Sequence, residues 1–285
     1  MFRKIFSTFF LSCCMGMSLY AQTKADSVAI VSANWETMTT DNHFIHKRAS
    51  LPNLYKGAQY INLVEIPSTK KLHFGIAISE MKKTSALAQE NEALAAINGS
   101  FYNMQKGNSV CYLQVGKEVI DTTETREFEI RATGAVYVHK NKLKIMPWSP
   151  EIEAGYRQKK GTILVSGPLM MEDGETCSWE MCDSSFIATK HPRSAIFITK
   201  DKRTFFITVD GRRKGNAIGV SIPELAHLIR ILGGDDALNL DGGGSTTLWM
   251  EGAPDNGVLN SPSDNGKFDH RGERKIPNII YVFKP

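Results

Sequence analysis

Cysteine and histidine are scarce in this chain, which has five and seven of them in 285 residues. Neither type is spaced to hold zinc: there is no Cys-x-x-Cys pair and no His-Glu-x-x-His run. Excess charge of one sign is also lacking. Thirty-four Lys and Arg against thirty Asp and Glu give a net charge of +4. The basic residues are scattered, so neither nucleic acid nor an anionic membrane surface is an expected partner. Long hydrophobic runs are absent except over residues 5–20, short of the roughly 20 residues that a spanning helix needs. Arg3 and Lys4 precede that run, and the small Ala21 and polar Gln22 follow it, the order of a secretory signal peptide over residues 1–21. The chain is therefore expected to be exported, to a periplasm or to the medium, with no transmembrane segment left after the signal is removed. Cys13 and Cys14 lie inside the run, but Phe10, Leu11 and Ser12 fit a lipobox poorly, which argues against a lipid anchor. Removing 21 of the 285 residues leaves 264, enough for one large domain or two small ones. Residues 22–57 read as an N-terminal segment and 58–285 as the main domain. In an oxidising compartment, Cys177 and Cys182 are close enough in sequence to be expected to bridge, leaving Cys111 as a buried thiol.

The pattern of apolar residues predicts an α+β protein with a mixed, largely antiparallel sheet and a few flanking helices. Gln59–Ile66 alternates and reads as a strand, with residues 72–78 as its antiparallel partner across the Pro67-Ser68-Thr69-Lys70 turn. Residues 84–96, rich in alanine and glutamate, read as a helix. Two hairpins follow, 111–115 with 119–120, and 135–139 with 143–146, then a short strand at 163–165. Residues 172–190 read as an irregular surface excursion. Residues 194–199 and Thr204–Val209 form a further hairpin. Ser221-Ile222-Pro223-Glu224 is a capping box with proline in the first turn. Leu225, Leu228, Ile229 and Leu232 then recur at helical spacing. Strands are expected at 237–240, 246–250 and 276–283, the last with Pro277 at an edge or outside the ladder. No regular βαβ alternation is present, which excludes a doubly wound fold.

Two polar clusters stand at predicted strand ends, Asp210-Gly211-Arg212 and Asp241-Gly242-Gly243-Gly244-Ser245-Thr246-Thr247. Three consecutive glycines let the backbone turn sharply and approach a ligand closely. Their N–H groups, with the hydroxyls of Ser245 and Thr246, can form an anion-binding nest. A bare glycine triplet reads more often as a hairpin connection; flanked by Asn239, Asp241, Ser245 and Thr246, it points to function. It is not a dinucleotide fingerprint, a P-loop or a nucleophile elbow, because the spacing of each is missing.

Six segments in order resemble the phosphodiester glycosidase family. They are Asn98-Gly99-Ser100-Phe101-Tyr102; Pro192-Arg193-Ser194-Ala195-Ile196; Val209-Asp210-Gly211-Arg212; Gly219-Val220-Ser221 through Glu224-Leu225; Ala237-Leu238-Asn239-Leu240-Asp241 through Thr247; and Glu273-Arg274 with Pro277-Asn278. The resemblance runs from about Ala58 to the C-terminus. It is strong from Arg193 onward and weak between Asp121 and Lys190, and Ser100 stands where family members commonly have a second glycine. It implies hydrolysis of a sugar-1-phosphodiester at the anomeric carbon, with a carbohydrate phosphodiester as partner. A phosphomonoester is a good leaving group, so a cationic cradle matters more than a proton donor. Arg193, Arg212 or Arg274 would supply the cradle. Asp210, Asp241 and Glu273 are the candidate catalytic carboxylates. Asn98, Asn239 and Asn278, with the backbone of Gly99, Gly242, Gly243 and Gly244, would bind or orient. Two rivals remain. One is a phosphodiesterase cleaving the P–O bond with a divalent cation, calcium or magnesium, on Asp210 and Asp241. The other is a non-catalytic glycan- or phosphate-binding module.

Overall fold

The strand Arg193–Thr199 sets the architecture. All seven of its residues are buried, because successive side chains enter opposite faces of a sheet covered on both sides. Ile196 and Ile198 join one apolar core, Ala195 and Phe197 another. The structure, a computed structural model, describes residues 23–157 and 159–285; the expected signal peptide lies outside them. Thr204–Val209 and Gly234–Asn239 pair with this strand on either side. The sheet extends to eight strands in the order Glu36–Thr39, Ile45–Leu51, Gln59–Ile66, Thr204–Val209, Arg193–Thr199, Gly234–Asn239, Leu169–Glu172, Glu175–Thr176.

Against one face lies the helix Ile222–Ile231. Its Ser221 hydroxyl and Glu224 carboxylate cap each other's backbone N–H as the sequence predicts. Leu225, Leu228 and Ile229 are fully buried in the core beneath it, each worth about 1.5–3 kcal/mol of apolar burial. Against the other face lie two smaller sheets. One has five strands, Glu118–Asp121, Leu113–Val115, Thr162–Ser166, Gly134–His139 and Lys142–Pro147. The other has four, Leu248–Met250, Ala93–Asn98, Lys275–Phe283 and His73–Lys83. Every strand pairing among the described residues is antiparallel. The α+β class is as expected. The residues expected to form an N-terminal segment supply two strands of the large sheet. They also supply the helix Lys24–Val31, whose Ser27 hydroxyl lies 3.0 Å from His227 Nε2 on the capped helix.

Three expectations are corrected. The partner of Gln59–Ile66 is not the segment after the Pro67 turn; His73–Lys83 crosses to the four-stranded sheet and pairs with Lys275–Phe283. The helix expected over 84–96 ends at Glu90, and Ala93–Asn98 is a strand with all six residues buried. The small alanines let the neighbouring layers close over both of its faces. Cys111, Cys177 and Cys182 are all free thiols, with Cys177 packed on one core and Cys182 in the other. Pro277 falls where Lys275–Phe283 shifts register against His73–Lys83 and has not yet met Ala93–Asn98. The missing N–H therefore breaks no ladder on that side.

Candidate active site

The site forms where the large sheet and the four-stranded sheet run out together. Leu240 N–H donates to Ser194 O, and Asp241 N–H to Gly99 O at 3.0 Å, so the chain leaves one sheet already bonded to the other. Asn98, fully buried at the end of its strand, is the crosspiece. Its Oδ1 accepts from the Ser194 hydroxyl at 2.6 Å and from Thr247 N–H at 3.1 Å. Its Nδ2 donates to Asp241 O at 2.7 Å. All three contacts hold backbone or neighbours in place, so Asn98 fixes where Asp241 stands and has little left for a ligand. Asn278 does the same for the adjoining loop. Its Oδ1 accepts from Ser100 N–H at 2.8 Å, and its carbonyl from Gly99 N–H.

Asp241 is half-buried at the mouth of the glycine turn, with Oδ1 accepting from Gly242 N–H at 2.9 Å. Burial raises its carboxyl pKa, while the Ser245 hydroxyl, the Arg131 charge, the Gly242 N–H and the Arg274 charge pull the other way. Ser245 also influences the phenol of Tyr102, which in turn feels Asp241 and Arg274. These four side chains therefore share one small volume. Gly243 and Gly244 turn through a single 3-10 turn, Gly243–Ser245, and side chains lie close against both. Gly243 has φ +62°, and a Cβ on it would meet Arg212 Nη2 at 2.8 Å. A Cβ on Gly244 would collide with the Arg274–Asp264 ion pair. The glycines thus let two guanidinium groups press against the turn. Arg212 is itself in the left-handed region, φ 60°, a strained geometry for a non-glycine residue.

Asp210 is placed differently. It is 1% exposed. Its oxygens accept from Asn260 Nδ2 and Ser261 N–H, both at 2.8 Å. Burial pushes its carboxyl up to about 6 despite these hydrogen bonds and the nearby His270. Asn260 Nδ2 also donates to Thr246 O at 3.0 Å, and its Oδ1 accepts from Leu248 N–H. Asp210 is thereby joined to the end of the glycine turn through Asn260, and its carboxylate anchors the loop that carries Asp264. Glu273 lies outside the cluster. Its carboxylate accepts from the N–H and hydroxyl of Ser85 at 2.9 and 2.6 Å, at the start of the helix Thr84–Glu90. Among the described residues no three His, Cys, Asp or Glu side chains form a set that could hold a metal ion.

The cations complete the site. Arg193 is 2% exposed and forms no ion pair among the described residues. It donates to the carbonyls of Val220, Phe186 and Thr189. Burial and the nearby Arg131 push its pKa down to about 10, opposed by Asp241, so it remains cationic at neutral pH. Arg131 lies 3.6 Å over the ring of Phe101 and is paired with Glu127 at 2.8 Å. The ring of Phe186 sits between the two guanidiniums. Buried polar atoms without hydrogen-bond partners lie at the ends of these strands and in the adjoining loop as well: Asn239 Oδ1, Thr246 Oγ1, Thr247 Oγ1, Ser261 Oγ and Asn278 Nδ2. Each costs about 1–3 kcal/mol if left unmet. Sequence reasoning missed Arg131, Asn260, Ser261 and Asp264. Arg131 sits in the weakly resembling stretch. The Asn260-Ser261-Pro262-Ser263-Asp264 run offered only its polarity.

A sequence model of phosphodiester glycosidases matches residues 91–283, which is most of the chain and all of the site. The chain belongs to the phosphodiester glycosidase family. That membership supports a glycosidase kind of activity on phosphodiesters. No curated protein matches the chain in sequence. Among solved structures it is similar to the catalytic domain of zebrafish N-acetylglucosamine-1-phosphodiester α-N-acetylglucosaminidase, auto-inhibited by its pro-peptide. The TM-score is 0.66 at 15% identity, with 88% of each chain covered. A hypothetical protein from Synechocystis matches at TM-score 0.64 and 16% identity, over 88% of this chain and 64% of that one. A putative exported protein of Burkholderia pseudomallei matches at 0.50 and 12%, over 80% and 75%. At these identities the likeness is one of fold. Among the described residues no helix is long and apolar enough to cross a membrane.

Proposed function

We propose that this family member is an exported hydrolase that cleaves a sugar-1-phosphodiester at the anomeric carbon, releasing free sugar and a phosphomonoester. The observation that carries the reading is the half-buried carboxylate of Asp241, set at a glycine turn against which Arg212 and Arg274 press. A phosphomonoester leaves without much proton donation, so the site needs two things. One is a carboxylate beside the anomeric carbon, where positive charge develops in the transition state. The other is fixed positive charge where the departing phosphate gains negative charge. Asp241 supplies the first, by attacking or by drawing a proton from the attacking water. Arg212 and Arg274 supply the second, with Arg193 and Arg131 adding a positive field from behind. Asn239, Ser245, Thr246 and Asn278 surround the turn and keep the sugar end of the site polar. Asp210 acts through Asn260 and Ser261, holding the loop that orients Asp264 and hence Arg274.

The name of the zebrafish structure supplies a substrate to try, an N-acetylglucosamine-1-phosphodiester. Free sugar and phosphomonoester should appear in equal amounts. Accumulation of sugar-1-phosphate with a free alcohol would mean that the other ester bond is cut and would overturn the proposal.

A further inference from the structure

A second opening lies at the far end of the large sheet from Asp241. Arg193–Thr199 runs from one to the other, about 20 Å at roughly 3.3 Å per residue. The opening is a cavity of about 650 Å³ between the Ile66–Phe74 connection, the Lys142–Pro147 strand and the Ile198–Thr204 turn, within the usual size of small-ligand sites. Its floor is the main apolar core itself: Ile66, Leu72, Leu143 and Ile198 all belong to that core and are 2–9% exposed. Its lining includes Lys70, Lys142, Lys144 and Lys202 and one carboxylate, Asp236, with Asp235 beside it. Lys202 reaches only Asp235, at 3.8 Å, and the other three form no ion pair among the described residues. An opening onto core side chains would ordinarily be closed by further apolar residues. Here four lysines line it, a residue type whose alkyl stem can cover an apolar wall while its charge stays in water. Four cations above an apolar floor complement one kind of molecule, an alkyl chain with an anionic head.

We propose that this cavity binds an amphipathic anion, with the chain on the floor formed by Leu72, Leu143 and Ile198 and a phosphate or carboxylate head among the lysines. The proposal stands independently of the reading of the catalytic site. Titration calorimetry of the full chain with monomeric dodecyl phosphate tests it. One equivalent should bind with micromolar affinity, and Lys142→Glu/Lys144→Glu should weaken it tenfold or more. Both lysines are exposed on a strand, so the variant should melt like the parent. A second pair, Lys70→Glu/Lys202→Glu, lies on the connections and gives the same test should the first misfold. Inorganic phosphate and uncharged dodecyl maltoside, which carry the head and the chain alone, should each bind at least tenfold more weakly. Arg212→Ala, at the other end of the molecule, should leave dodecyl phosphate binding within twofold. The proposal is overturned if no binding is seen, if either control ligand binds as tightly, if binding survives the lysine pairs in folded protein, or if it is lost with Arg212→Ala.

Discussion

Asp241→Asn separates a catalytic carboxylate from a turn residue, because the structure shows what the amide preserves. The Asp241 backbone is held by Gly99 O and Asn98 Nδ2 regardless of its side chain. The contact from Gly242 N–H goes to Oδ1, which asparagine retains. Burial already disfavours the charged carboxyl, so removing the charge costs the fold little, and stability should stay within about 1 kcal/mol of the parent. The reaction loses the group that faces the developing positive charge. A hundred- to ten-thousandfold fall in rate is about 2.7–5.5 kcal/mol of transition-state stabilisation. The assay is release of free sugar from a sugar-1-phosphodiester across pH, with thermal melting alongside. For the parent, kcat/KM should rise with pH through an apparent pKa above the ~3.9 of an ordinary aspartate, since burial moves Asp241 in that direction. A variant that melts like the parent and keeps more than about a tenth of its activity, on the hundredfold scale of base or nucleophile removal, would refute the reasoning.

Asp210→Asn should destabilise by about 1–3 kcal/mol, because its amide would set a donor against Asn260 Nδ2 or Ser261 N–H. Asp210 is raised to about 6 in the fold. Its contribution is therefore fully present below the unfolded value near 3.9 and is lost as pH rises through about 6. Melting curves from about pH 4 to 7 should show a shallower decline in the variant. Gly244→Ala should lower kcat/KM by displacing Arg274, and in a double-mutant cycle with Arg274→Ala the two losses should overlap; simple additivity would contradict the contact. Glu273→Ala should cost about 1–2 kcal/mol by uncapping Thr84–Glu90, with activity per folded molecule nearly unchanged. A hundredfold loss of rate without loss of stability would return Glu273 to the catalytic set.

The parts of the fold that were legible carry local signals. The Ser221 capping box and the spacing of Leu225, Leu228 and Ile229 announce their helix. The run 194–199 with Lys200-Asp201-Lys202 announces its hairpin. Ala93–Asn98 misled because burial on both faces erases the period of two, leaving alanine's helical preference as the only signal. The partner of His73–Lys83 lies at the C-terminus, beyond anything a local turn can specify. The same divide runs through the site. Asp241 and its glycines are read from one short stretch. Arg131, Asn260 and Asp264 come from elsewhere in the chain and acquire meaning only through the contacts that folding gives them. Glu273 and Asp210 show the converse: a carboxylate in a recognisable motif can be engaged in holding a helix or a loop.

Hydrolysis in ¹⁸O-water tests the central claim most directly, because cleavage at the anomeric carbon and cleavage of the adjacent P–O bond give the same two products. The label should be read on the phosphomonoester, whose oxygens do not exchange as an anomeric hydroxyl does. Attack at the anomeric carbon beside Asp241 predicts a phosphomonoester free of ¹⁸O. One labelled oxygen in the phosphate would place the attack at phosphorus and contradict the account.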